Sequence, residues 1–141
     1  MSRRITAILL AMLMLPFSAV NTLAADTDPD LTIEDITFNN NSPAGGDTVT
    51  ITAEIANDGG ASGILTVTTN VSFYYDSTFI GKDTVTVPGG NTADAEMNWK
   101  AIGGSHTIRV IVNEERQVQE STYSNNAGQY IKSNSGKYIV E

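Results

Sequence analysis

The feature that most restricts this chain is a run of strict alternation beginning at Thr48. Val49, Ile51, Ala53 and Ile55 hold one parity, and Thr48, Thr50, Thr52 and Glu54 hold the other. Successive side chains of a strand point to opposite faces, so this segment carries one apolar and one polar face when extended. Its β-branched residues suit that geometry. The pattern predicts a half-buried antiparallel strand.

The rest of the chain repeats the theme. Leu31, Ile33, Ile36 and Phe38 predict an earlier strand whose alternation slips once, as a bulge would cause. Val67 to Tyr75 sets Val71, Phe73 and Tyr75 on one face, and a loop at Asp76-Ser77-Thr78 leads into a strand from Phe79 to Val87. Ala93, Ala95, Met97 and Trp99 alternate with Asp94, Glu96 and Asn98, and Ile108, Val110 and Val112 alternate with Arg109 and Ile111. Between these lie Asn39 to Gly46, Asn57-Asp58-Gly59-Gly60, Pro88-Gly89-Gly90-Asn91 and Gly103-Gly104-Ser105, all turn-forming clusters. No window after Leu31 keeps the i, i+3, i+4 spacing of a helix. The expectation is an all-β antiparallel sandwich of two sheets, about three or four strands each.

The N-terminus has a different character. Arg3 and Arg4 precede an apolar run from Ile5 to Leu15, Pro16 ends it, and Thr22-Leu23-Ala24-Ala25 offers small residues for cleavage. This three-part pattern predicts a signal peptide over residues 1–24. The run is too short for a bilayer span, which takes about 20 apolar residues. Loss of Arg3 and Arg4 leaves 6 basic against 16 acidic residues, a net charge of −10. Such a surface repels nucleic acid and anionic lipid, so neither is expected as a partner, and no membrane insertion is expected after cleavage. There is no cysteine, which excludes zinc–thiolate sites, a cysteine nucleophile and disulfide staples. The predicted localisation is secreted, at the cell surface.

Several motifs in their order resemble one family. Asp30-Leu31-Thr32-Ile33, Gly46-Asp47-Thr48-Val49-Thr50-Ile51 and Asn57-Asp58-Gly59 look like the first half of CARDB, the cell-adhesion-related domain found in bacteria. Val71-Ser72-Phe73-Tyr74 with Ile80-Gly81, Met97-Asn98-Trp99, the stretch Gly104 to Asn113, Val118-Gln119-Glu120-Ser121 and Ser124-Asn125-Asn126 resemble its second half. The likeness covers about Asp30 to Lys132. It implies an immunoglobulin-like sandwich of bacterial and archaeal envelopes with seven strands, or eight if the C-terminal segment joins. Asn113 stands where many relatives have Asp. The expected organisation is a signal peptide (1–24), an acidic linker (25–30), the sandwich (31–132) and a C-terminal turn with an extra strand (133–141).

Candidate chemistry is sparse. His106 is the only histidine, and a base needs a partner in reach, so no enzyme is expected. Asp26, Asp28 and Asp30 have the spacing of a calcium loop, but the glycine and the distal glutamate are missing, which points to a solvated linker. Glu120, Asn113 and Asn125, with Glu114, Glu115 and Asn126 nearby, form the richest set of oxygen donors, and calcium is the cofactor such a set would take. The competing assignment, which the residue types favour, is a loop tie in which Glu120 and the asparagines satisfy backbone groups. Period-2 placement puts Trp99 and Phe73 in the core, leaving Tyr74 as the aromatic available for a sugar. Asn40 and Asn70 begin glycosylation sequons, with Asn40 in a loop. Lys137 to Glu141 has strand composition beyond seven strands; Tyr138, Ile139 and Val140 either fold back as a hairpin, which the preceding turn residues favour, or pair with another subunit. The expected function is a non-catalytic extracytoplasmic adhesion, interaction or structural module, whose partners are other envelope proteins, copies of itself or carbohydrate. The alternatives are a filament or surface-layer subunit assembled by strand exchange and a cation-dependent carbohydrate-binding module.

Overall fold

A computed structural model describes residues 28–59, 65–130 and 138–140. The predicted signal peptide, the calcium-loop residue Asp26 and the predicted turn at 133–136 lie outside the described residues. Nine strands are found among them: β1 (Leu31–Phe38), β2 (Thr48–Asn57), β3 (Val67–Tyr75), β4 (Thr78–Val87), β5 (Thr92–Lys100), β6 (Gly104–His106), β7 (Ile108–Val112), β8 (Ala127–Gln129) and β9 (Tyr138–Val140). Seven of them make two antiparallel sheets, of order β1-β2-β5 and β4-β3-β7-β8. β6 and β9 pair in a separate ribbon.

The apolar parities meet between the two sheets. Val49, Ile51, Ala53 and Ile55 of β2 are fully buried against Val71 and Phe73 of β3 and Ile108, Val110 and Val112 of β7 within one cluster. Trp99 closes one end at 3% exposure, its ring 5.4 Å from Tyr75 and 5.6 Å from His106. The slip in β1 is a register shift between Ile33 and Asp35, which keeps Leu31 and Ile36 both inward despite their odd spacing. The turn between β3 and β4 is tighter than its three-residue expectation. Thr78 already pairs with Tyr75, and Asp76 (φ 45°) and Ser77 (φ 73°) are both left-handed, as a two-residue hairpin with strand-matched twist demands.

Four expectations are corrected. The stretch Gly104 to Asn113, which resembles a single strand of the family, is broken at Thr107, because Asp76 accepts from Thr107 N (2.8 Å) while Asp76 N donates to Thr107 O (2.9 Å). β6 therefore leaves the sheet. Residues 28–30 are not a solvated linker: Pro29 is buried, its carbonyl accepts from Ser121 N (2.9 Å), and the Asp30 carbonyl accepts from Asp58 N (2.8 Å). The last sheet strand, expected to reach Lys132, ends at Gln129, although Tyr130 N still donates to Ile108 O (3.0 Å) and its ring packs edge-on against Phe38; Ile131 and Lys132 lie outside the described residues. The C-terminal segment pairs within its own chain, but with β6 rather than as a hairpin on β8, in the register Gly104↔Val140 and His106↔Tyr138.

Candidate functional site

The predicted oxygen-donor set gathers on one end of the sandwich. Asn113 follows β7 in a left-handed conformation (φ 50°) that asparagine tolerates, and Arg116 N closes a turn onto its carbonyl at 2.8 Å. That turn aims the Asn113 side chain back under the loop. Its Oδ1 accepts from Val118 N (3.0 Å) and Thr69 Oγ1 (3.3 Å), and its Nδ2 donates to Val118 O (2.7 Å) and Glu120 Oε1 (2.5 Å). Glu120, 3% exposed, is the centre of this knot. Its Oε1 also accepts from Asn126 Nδ2 (2.6 Å), and its Oε2 takes Leu31 N, the first amide of β1, at 2.7 Å. The side chain thereby stitches the start of β1 to the loop between β7 and β8.

These residues do not fit a cation. Asn113 and Asn126 present amide N–H groups to the Glu120 carboxylate, so the set is donor-to-acceptor, where a metal needs acceptors only. Asn125 turns elsewhere, donating to Asp30 Oδ1 at 2.8 Å. Among the described residues no group of three or more His, Asp or Glu is placed to hold an ion. His106 is likewise engaged: Nδ1 lies 2.5 Å from Asp76 Oδ2 and Nε2 lies 2.7 Å from the Ile102 carbonyl. This clamp joins the β3–β4 turn to the loop before β6. Of the two sequons, Asn40 is exposed with its Oδ1 accepting Ser42 N (3.0 Å), whereas Asn70 is tied to Thr84 Oγ1 (2.9 Å) and its Ser72 is 1% exposed.

The outer face of the four-stranded sheet aligns one residue from each strand. Phe79 of β4 faces Tyr74 of β3, Tyr74 faces Arg109 of β7, and Arg109 faces Gln129 of β8. The loop after β7 arches over this face. Tyr74 OH donates to Glu114 Oε2 at 2.6 Å, and Lys82 pairs with Glu115. Burial and the Glu114 carboxylate hold the Tyr74 phenol pKa above its usual 10.0, and the bond and charge of Lys82 lower that of Glu115. Tyr74 was legible as a surface aromatic from its parity. Arg109 and Gln129 were not, because their alignment with it depends on the pairing of three strands.

The CARDB family profile matches residues 28–129. The CARDB domain of a Pyrococcus furiosus protein, crystallised in complex with di-metal ions, is similar at 24% identity and a TM-score of 0.61, covering 74% of this chain and 87% of that one. A domain from a Methanosarcina acetivorans protein described as a cell-surface protein is 25% identical with a TM-score of 0.59, covering 73% and 89%. No curated protein matches the chain. With the match spanning both sheets and the Glu120 knot, this chain belongs to the CARDB family and has its immunoglobulin-like β-sandwich fold.

Proposed function

We propose that this chain is a non-catalytic interaction module of the cell envelope, exported by its N-terminal signal and working through a sheet face and loops. The observation that carries this reading is the likeness over nearly three quarters of the chain, 73%, to a domain of the Methanosarcina acetivorans protein described as a cell-surface protein. The polar geometry supports it. Glu120 and Asn113 are spent on holding loop to sheet, and both nitrogens of His106 are spent on Asp76 and Ile102, which leaves neither as a free base. Protease treatment of intact host cells, with mass spectrometry of the mature N-terminus, tests the reading. The expected result is digestion from outside and a chain beginning near Ala25. A protected chain that retains Met1 sinks it.

The β6–β9 ribbon favours a second reading, assembly by strand exchange. It lies outside both sheets, and β9 could make the same antiparallel pairing with β6 of another copy without loss of a hydrogen bond.

A further inference from the structure

We propose that the outer face of the four-stranded sheet binds a neutral saccharide, with Arg109, Tyr74 and Gln129 as its recognition row; this deepens the envelope reading and rests on it for biological context. The row Phe79–Tyr74–Arg109–Gln129 crosses all four strands in register. Together with Glu114, Asp76 and Ile111 its inner members line a cavity of about 380 Å³, within the size range of small-molecule sites.

The chemistry of the lining selects the ligand class. The Arg109 side chain is exposed and forms no hydrogen bond or ion pair among the described residues, so a planar fork of donors stands open in the floor of a concave surface. Gln129 beside it offers an amide, and Glu114 offers a carboxylate acceptor. Guanidinium, amide and carboxylate each present two polar atoms at the spacing of neighbouring hydroxyls. Tyr74 and the half-exposed Phe79 (50%), with ring centroids 5.5 Å apart, add apolar surface for the C–H face of a sugar ring. The Tyr74–Glu114 hydrogen bond fixes that ring before a ligand arrives, which lowers the ordering cost of binding. Two carboxylates flank the single cation, so an anionic ligand is opposed where a neutral polyol is not. The backbone groups of β3 and β7 are consumed by their ladders, so an extended peptide cannot join the sheet at Tyr74 or Arg109.

Affinity electrophoresis tests the proposal, using the chain as its host processes it and gels carrying dextran, laminarin, mannan or polygalacturonate. At least one neutral polymer is expected to retard the protein. Arg109→Ala and Tyr74→Ala should each weaken that retardation by about tenfold or more, Arg109→Lys should fail to restore it, and Thr50→Ala on the opposite sheet should leave it unchanged. Arg109 is exposed, and an unaltered thermal midpoint checks that its variants fold. Retardation by none of the neutral polymers, retardation by polygalacturonate alone, or retardation that survives Arg109→Ala overturns the proposal. The gel result does not depend on where the protein resides, so it can fail while the cell-surface test succeeds, and the reverse.

Discussion

At the residue scale, a few polar side chains do structural tasks that their composition alone would assign to chemistry. Glu120 receives three N–H donors, from Leu31, Asn113 and Asn126. In Glu120→Gln at least one of those donors faces an amide N–H in either orientation, so a loss of about 1–3 kcal/mol is expected in denaturant unfolding. The loss should be the same with calcium or with EDTA, because the side chain acts as an acceptor for protein groups; a loss confined to calcium-containing buffer would return Glu120 to the role of a ligand. Trp99→Ala removes the ring that Tyr75 and His106 pack on, and a cost of about 3–5 kcal/mol should leave the domain unfolded or nearly so by circular dichroism. For Tyr74 the folded-state pKa stands above the ordinary 10.0. Its protonated form therefore contributes stability that is fully present below that value and lost as pH rises through the folded-state pKa. In a phenolate absorbance titration, Tyr74→Phe should remove a late-ionising tyrosine; a difference spectrum confined to the earliest phase would contradict the Glu114 bond.

At the scale of elements, strand identity followed from local pattern, while strand limits did not. The alternation of β2, β5 and β7 was legible because each buries one parity. The division of β6 from β7 was not, since it is made by Asp76, a residue 31 positions away from Thr107. The ribbon of β6 and β9 is the element whose pairing matters most for assembly. Deleting residues 133–141 removes β9 and leaves one side of β6 unpaired. Under the envelope-module reading, light scattering should find a monomer before and after, with the truncated chain aggregating faster from its open edge. An oligomeric wild type that becomes monomeric on truncation would make strand exchange the primary function.

At the scale of the whole molecule, the closure of the sandwich along β1 and β8 rests on a missing side chain. A Cβ at Gly128 would stand 2.5 Å from Ile33 Cγ2 and 2.7 Å from its Cβ, across the boundary between the two sheets. Gly128→Ala should therefore push β8 from β1 and cost about 1–3 kcal/mol. Ile33→Ala should recover part of that loss in a double-mutant cycle, and strictly additive effects would show that the clash is relieved elsewhere.

What the amino-acid order determined by itself was the all-β class, the sandwich, the bulge in β1 and the inward set from Val49 to Val112. These follow from side-chain parity, a property carried by each strand alone. Acidity and the loop-tie role favoured for Glu120 were legible for a similar reason, since each rests on residue type over a short span. What only the tertiary structure decided was which residues meet: Glu120 with Leu31, 89 positions apart, and His106 with Asp76, 30 apart. The row of Tyr74, Arg109 and Gln129 belongs to the same class, because it exists only once β3, β7 and β8 take their register. Register is set jointly by the core, the turns and the hydrogen-bond ladders, and no single strand encodes it.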